Sequence, residues 1–187
     1  MDGLKGRFIT LLSLWGNMES RISELTSKNS LEYLALRKES EIEYPEYVGP
    51  SAERELMAGT ENISSILDSY SDEGTIIFGA FHNEELVGVL ALSRRLSPKF
   101  KHRAFIWGMY ISKGYRKSNI GTLLINYVKG WAAVNEEVNV LWLQVTESNK
   151  PAISFYKKHG FAIYGTEPMA LFTQDEYHDV HYMQIMA

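Results

Sequence analysis

The sequence predicts an α+β domain with an α/β-like three-layer arrangement, in which helices flank one mixed, mostly antiparallel sheet. Strand-like and helix-like patterns alternate along the chain from residue 18 onward. Three consecutive strand patterns, Thr75–Phe81, Leu86–Leu92 and Ala104–Ile111, are separated only by turns or a loop, which favours antiparallel pairing. A helix then joins the third of these strands to a further strand at 139–145, and such a crossover requires one parallel pair.

Composition restricts the class of protein. With 187 residues, 45% hydrophobic and 22% charged, the chain fits a single globular domain. It contains no cysteine, which excludes thiolate metal sites, disulfides and acyl groups carried on a cysteine. A net charge of −4 argues against a nucleic-acid partner. No apolar run approaches the roughly 18 residues that span a bilayer, so we expect no membrane partner and a cytoplasmic location.

The first half of the domain follows from its local patterns. We expect residues 1–17 to be a loosely ordered N-terminal extension, or to precede the native start, and residues 18–187 to form the domain. Arg21–Thr26 is typical of a strand, and the helix after it should end near Pro45. A second helical region, Ala52–Tyr70, should be broken near Gly59 and Asn62.

The second half contains two clear helix signals. Apolar residues recur at helical spacing from Ile120 to Trp131, and Pro151 stands at an early position of another helix, where its missing N–H does no harm. Two strand patterns, Phe161–Phe172 and Val180–Met186, complete the chain. His178 and His181 are three apart on a predicted strand and face opposite sides, so we expect no metal site there.

The connection Ser112–Thr122 runs from a strand end to a helix start and is basic and flexible. Such a loop presents backbone N–H groups and the positive end of a helix dipole, which suits a phosphate. The spacings of the Walker loop and of the dinucleotide-binding fingerprint are absent. On this loop alone, a phosphate site and an ordinary solvated turn remain equal alternatives.

A second segment changes that balance. From Asn149 to Phe161 the chain has the form Asn-x-x-Ala-x-x-Phe-Tyr-x-x-x-Gly-Phe, and Arg116 to Gly121 has the form Arg-x-x-Asn-x-Gly. Together they resemble the acyl-CoA-binding core of the GNAT superfamily of N-acetyltransferases, in which the first motif is Arg/Gln-x-x-Gly-x-Gly/Ala. The likeness covers roughly residues 19–187. Asn119 replaces the first motif glycine. Among residues other than glycine, Asn best tolerates left-handed backbone geometry.

The resemblance implies acetyl-CoA as co-substrate, without a metal, and assigns residues to it. It implies a GNAT-type sheet in which a bulge and a splay of the parallel pair leave backbone groups free, with an N–H near Tyr110 as oxyanion donor. Asn149 would bond the pantetheine amide, and Tyr156 would be the general acid for the departing thiolate. The strand end, Met109, Tyr110 and Ile111, would pair with the pantetheine arm. The pyrophosphate would lie on Arg116, Lys117, Ser118, Asn119, Ile120, Gly121 and Thr122.

Each catalytic assignment has a structural alternative. Tyr156 also fits the apolar face of an amphipathic helix, and Asn149 also fits a helix cap. Glu147, just beyond the splayed strand end, is the candidate general base; a solvated loop glutamate is the alternative, and a water chain would then replace it.

Two clusters of charged residues also have two interpretations each. Glu39, Glu41, Glu43 and Glu46 would attract a cationic amine or would form a solvated face. The basic residues Arg94, Arg95, Lys99, Lys101 and Arg103 would attract an anionic partner or would serve solubility.

The sequence-based hypothesis is therefore an N-acetyltransferase that moves the acetyl group of acetyl-CoA directly to a primary amine, with no covalent enzyme intermediate. The acceptor, a small molecule or a peptide, stays open. The alternative is a GNAT-fold acyl-CoA-binding sensor or interaction module without turnover. An exposed edge near the C-terminal strands also favours a homodimer.

Overall fold

The computed structural model describes residues 20–47 and 50–187, so the expected extension at residues 1–17 lies outside the described residues. The helices are α1 (Ser30–Glu43), α2 (Pro50–Asp72), α3 (Ile120–Val134) and α4 (Lys150–Lys158). The strands are β1 (Ser20–Glu24), β2 (Thr75–His82), β3 (Glu85–Arg94), β4 (Arg103–Ile111), β5 (Val140–Thr146), β6 (Ala162–Thr173) and β7 (Glu176–Met186). Within the described ranges, none of the helices has the length and apolar content that crossing a bilayer requires.

The strands form one sheet in the order β1-β2-β3-β4-β5-β7-β6. Neighbouring strands are antiparallel except β4 and β5, which are parallel. One hydrophobic cluster joins the sheet to α3 and α4, and another joins it to α1 and α2. The predicted three-layer α+β class with a mixed, mostly antiparallel sheet is confirmed.

The interior strand β3 packs against hydrophobic clusters on both faces. Leu90 and Leu92 pack into the α3 and α4 cluster, whereas Val89 and Ala91 pack into the α1 and α2 cluster. This separation follows because successive side chains of a strand point to opposite faces. A continuous apolar run therefore serves two cores at once.

Several predicted strand boundaries differ from the observed ones, and two of these differences have a clear local cause. β1 ends at Glu24, before the predicted Thr26, because the Thr26 hydroxyl accepts from the Lys28 amide at 3.4 Å and caps the turn that follows. β7 begins before the predicted Val180, because Gln174 and Asp175 have φ of 51° and 60° and close a two-residue hairpin. The predicted break of α2 is confirmed at Gly59, where φ is 63°.

The parallel pair separates halfway along its length. Only Arg103–Ile106 of β4 pair with Val140–Leu143 of β5. After these four pairs the strands diverge, and residues 107–111 of β4 and 144–146 of β5 have no partner across the gap. The predicted splay is confirmed, and it leaves β4 with one open side.

A bulge in β4 begins where the separation begins. Tyr110 lies opposite Val89 and Trp107 lies opposite Ala91, so two residues of β4, Gly108 and Met109, occupy the space of one. Gly108 has a φ of 61°, which a glycine adopts without steric cost. The predicted bulge is confirmed.

Candidate functional site

A cleft of about 1020 Å³ opens between the diverging ends of β4 and β5. The loop before α3, the start of α4 and the segment after α1 form its other walls. Of the residues assigned to a site from the sequence, those lining it are Met109, Tyr110, Ile111, Arg116, Lys117, Asn119, Ile120, Gly121, Thr122, Asn149 and Tyr156. Ser118 and Glu147 are not among its lining residues.

The open side of β4 presents main-chain groups to this cleft. The Ser112 amide donates to the Val87 carbonyl of β3 at 2.9 Å. Because strand amides alternate between the two sides, the Tyr110 amide also faces β3 and the Ile111 amide faces the gap. The backbone donor that was expected near Tyr110 is therefore not the amide of Tyr110 itself.

The cleft continues to the N-terminal end of α3. Asn119 precedes the helix with φ of 70° and ψ of 0°, the left-handed geometry expected for an asparagine in the place of a glycine. The first helical bond runs from the Leu123 amide to the Asn119 carbonyl at 3.0 Å, so the amides of 120–122 point out of the helix end. These amides and the helix dipole favour an anion at this place.

The hydroxyls of Ser118 and Thr122 have partners within the protein. Ser118 Oγ donates to the Tyr115 carbonyl, and Thr122 Oγ1 lies 3.4 Å from His159 Nε2. A Cβ at Gly121 would lie 3.3 Å from Met109 Cε, so a larger residue would crowd the cleft wall. The loop therefore offers an anion mainly its main-chain amides.

The Arg116 guanidinium is held by α1 and by the strand end. Its Nη1 donates to Glu43 Oε1 at 2.6 Å and to the Tyr44 hydroxyl at 3.0 Å, and its Nη2 donates to the other Glu43 oxygen. Its Nε donates to the Ile111 carbonyl at 3.0 Å. The side chain that was expected on a pyrophosphate thus fixes the loop to α1, and the Arg116 amide donates to the Lys113 carbonyl at 3.5 Å.

Two glutamates of the acidic run in α1 have structural partners. Hydrogen bonds from Arg116 lower the pKa of Glu43 to about 2, and a bond from the Tyr110 hydroxyl acts in the same direction. Glu39 accepts from Ser112 Oγ at 2.9 Å and from the Lys113 amide at 3.2 Å. Glu39 and Glu43 are four residues apart and so share a helix face, a signal that the sequence contained.

Tyr156 lies on α4 with its hydroxyl at the cleft. The ring packs edge-on against Phe155 and Phe161, at centroid distances of 5.4 and 5.7 Å. The hydroxyl donates to Met109 Sδ at 3.6 Å. Burial raises the pKa of Tyr156, so the phenol keeps its proton at neutral pH. Tyr156 is a core aromatic whose one polar atom is near the open strand edge.

Asn149 caps α4, because its Oδ1 accepts from the Ala152 amide at 3.1 Å. The helix-cap alternative is thereby confirmed, and the same residue lines the cleft. A capping role is compatible with a ligand contact, because the amide group of Asn has both acceptor and donor atoms.

Glu147 lies outside the cleft lining. Its carboxylate pairs with Lys150 Nζ at 3.3 Å, with the side chain 48% exposed. The structure favours the alternative of a solvated loop glutamate and does not support Glu147 as the general base. Glu46 and Glu167 are carboxylates that do line the cleft. Within residues 20–47 and 50–187, the structure contains no group of three His, Asp or Glu side chains arranged to hold a metal ion.

The left-handed geometry at Asn119 makes a prediction for stability. Asn119→Ala should lower the free energy of unfolding by about 1–2 kcal/mol, because a Cβ without a locally bonding side chain is disfavoured at positive φ. Asn119→Gly should match the wild type or exceed it. Urea unfolding checks both variants, and an alanine variant as stable as the wild type would show that φ at this position is not left-handed.

The ion pair between Glu43 and Arg116 predicts that the free energy of unfolding depends on pH. Its folded pKa lies below the unfolded value, so the pair stabilises the protein above about pH 4.3 and the contribution disappears as the pH falls toward about 2. Glu43→Gln should cost about 1–3 kcal/mol at pH 7 and much less at pH 2.5. Urea unfolding at the two pH values tests this, with Glu41→Gln on the exposed side of the same helix as control. An equal cost at both values would contradict the pairing.

Comparison with known proteins identifies the family of this fold and cleft. The family model described as Acetyltransferase (GNAT) family matches residues 33–161, which is more than half of the chain. Streptothricin acetyltransferase of Escherichia coli is 32% identical over 102 residues, which are 54% of this chain and 56% of that protein. The chain therefore spans only about half the length of this curated relative.

Two solved structures share the fold. An acetyltransferase of the GNAT family from Streptococcus pneumoniae has a TM-score of 0.79 at 22% identity, over 90% of this chain and 100% of that one. The protein yncA from Salmonella typhimurium, solved with its cofactor acetyl-CoA, has a TM-score of 0.75 at 12% identity, over 90% and 94% of the two chains. With the family match, the splayed sheet and the two motifs in one cleft, this chain belongs to the GNAT acetyltransferase family.

Proposed function

We propose that this chain is an N-acetyltransferase that binds acetyl-CoA and a primary amine together and transfers the acetyl group directly between them. One observation carries the proposal: the open edge of β4 and the free amides at the start of α3 line the same cleft. This arrangement suits an extended ligand that has amide groups in its arm and a pyrophosphate at one end. Family membership and the acetyl-CoA in the yncA structure support the choice of ligand.

The residues of the cleft fit the parts of that co-substrate. The Ile111 amide and its neighbours on the open edge of β4 would pair with the pantetheine arm, and Asn149 would bond an amide of the arm. The amides of 120–122, with the exposed Lys117 beside them, would hold the pyrophosphate. Arg116 contributes by fixing this loop to α1, because Glu43 holds its guanidinium.

Acetyl-CoA supplies an activated thioester. The amine nitrogen forms a bond to the carbonyl carbon and the carbon–sulfur bond breaks. A cationic acceptor first loses one proton to water, which frees the lone pair of its nitrogen, and the nitrogen loses a second proton to water as the bond to carbon forms. The departing thiolate takes the hydroxyl proton of Tyr156, which solvent later restores. Tyr156 suits this role because burial keeps the phenol protonated. The chain contains no cysteine, which agrees with direct transfer.

The protons released by the acceptor nitrogen would leave through water in the cleft, because the Glu147 carboxylate accepts a hydrogen bond from Lys150. Glu46 and Glu167 line the same cleft and would favour a cationic acceptor near the water. The acceptor is a small amine or a peptide. The relative from Escherichia coli is named for streptothricin, which makes streptothricin the first acceptor to test.

Three further expectations belong to this proposal. A cytoplasmic location and the absence of a nucleic-acid partner remain predictions from composition. A homodimer through β6 is also a prediction: β6 is an edge strand of the sheet, with Ile163, Met169 and Phe172 exposed along it.

The test is a pair of tyrosine variants. Tyr156→Phe should lower kcat for CoA release by about 100-fold or more, because it removes the proton donor. The dissociation constant for acetyl-CoA should change little, since the ring remains. Tyr127→Phe, a partly buried tyrosine of the same core, is the matched control and should keep full turnover.

The measurement is CoA release from acetyl-CoA with an amine panel that includes streptothricin, together with calorimetric binding of acetyl-CoA. Full turnover of Tyr156→Phe would remove Tyr156 from its proposed role. Tight binding by the wild type without turnover on any amine would favour the alternative of an acyl-CoA sensor module.

A further inference from the structure

A buried ion pair joins α1 to α2 beside the cleft. Arg37 Nε lies 2.8 Å from Glu55 Oε2, and the two side chains are 5% and 0% exposed. The second carboxylate oxygen of Glu55 accepts from the hydroxyls of Tyr33 at 2.8 Å and Tyr70 at 2.7 Å. Every charged oxygen of Glu55 therefore has a hydrogen-bond donor.

Stability alone does not explain this pair. Desolvation of two charges costs about as much as their attraction returns, and neutral side chains of similar volume often replace such pairs without loss. The exposed pair of Arg54 and Glu73 on the same two-helix layer, with atoms 3.9 Å apart, shows that this layer also forms ion pairs in solvent. A buried pair is better explained by what its geometry fixes.

The second branch of the guanidinium reaches the bulge of β4. Arg37 Nη1 donates to the Gly108 carbonyl at 3.3 Å. Gly108 lies at the bulge and has no paired residue in the register of β3 or β5. A Cβ at Gly108 would lie 3.2 Å from Arg37 Nη1, so the guanidinium packs directly on this backbone. Arg37 supplies a donor to a carbonyl that the sheet register leaves out.

The bulge in turn determines the position of the cleft wall. Met109 follows Gly108 directly, and its sulfur accepts the hydrogen bond from the Tyr156 hydroxyl. Glu55, Arg37, the Gly108 carbonyl, Met109 and Tyr156 therefore form one connected series of contacts from α2 to the proposed proton donor.

We infer that Arg37 and Glu55 are positioning residues for acetyl transfer: they hold the Gly108 bulge so that the open edge of β4 and the Tyr156 hydroxyl face the same point. The inference rests on the proposed function. It requires that both arms of Arg37 be used at once, Nε on the carboxylate and Nη1 on the carbonyl. A displacement of about 1 Å at a reacting centre can lower a rate about 100-fold.

Two variants separate positioning from charge pairing. Arg37→Lys keeps a cation for Glu55 but has no second, rigidly placed donor for Gly108. The double variant Arg37→Met with Glu55→Gln removes both charges and leaves no buried charge unpaired. The matched control is Arg54→Met with Glu73→Gln, which removes the exposed pair.

Both test variants should keep a Tm within a few degrees of the wild type and an acetyl-CoA dissociation constant within about threefold, while kcat falls 10-fold to 100-fold. The control should keep all three values. The inference is overturned if kcat stays at the wild-type value, or if kcat, binding and Tm fall together, as a purely structural role requires.

A readout that does not depend on turnover keeps the two proposals apart. In amide NMR spectra, both test variants should shift the Met109 and Tyr110 signals and leave the β1 signals in place. If the wild type shows no turnover but both test variants show these shifts, the proposed function is refuted, while the support of the Gly108 bulge by Arg37 and Glu55 stands. Unchanged Met109 and Tyr110 signals would refute the positioning role whatever the turnover.

Discussion

Beyond Ile106 and Leu143 the parallel strands β4 and β5 stop pairing, and the rest of the site depends on that separation. Each strand is followed by a helix, β4 by α3 after a loop and β5 by α4 after a short turn, and residues at the start of both helices line the cleft. The free edge of β4, the free amides of α3 and the Tyr156 hydroxyl of α4 are brought together by this one irregularity. A fully paired sheet would close the cleft and cover all three.

An irregular strand needs support, and α1 provides it through charged residues, Arg37 and Glu43 among them. Its buried Arg37 bonds the Gly108 carbonyl at the bulge, and Glu43 near its C-terminal end holds Arg116 in the loop before α3. The charges are opposite and the partners differ, but the physical role is the same. In both cases charge-assisted hydrogen bonds hold main chain that regular pairing does not fix, directly at Gly108 and through the Arg116 side chain at Ile111. The cleft is therefore preformed, and binding would not have to order its walls.

The features that the sequence predicted are those set by local chemistry. The strand and helix patterns, the break at Gly59, the cap at Asn149 and the left-handed Asn119 depend on neighbouring residues and follow from periodicity and backbone preference. The family motifs added the splay and the bulge. Arg116 was assigned by motif position; it lines the cleft, but its guanidinium is directed to Glu43.

What the sequence could not provide depends on contacts between distant segments. Glu147 is an exception, because its side chain turns to Lys150, a near neighbour along the chain. Arg37 and Glu55 are 18 residues apart, and Gly108 is 71 residues beyond Arg37, so no periodicity connects the three. Their role becomes visible only when α1 and α2 are packed on the sheet.

Hydrogen exchange with and without saturating acetyl-CoA tests most directly whether the gap between β4 and β5 is the binding slot. The account predicts slower exchange at the Ile111 amide and at the amides of 120–122, with no change in β1 at the far edge of the sheet. ATP, which lacks the pantetheine arm, should leave Ile111 unchanged. Protection confined to other elements, or no protection at Ile111 despite bound acetyl-CoA, would contradict the account.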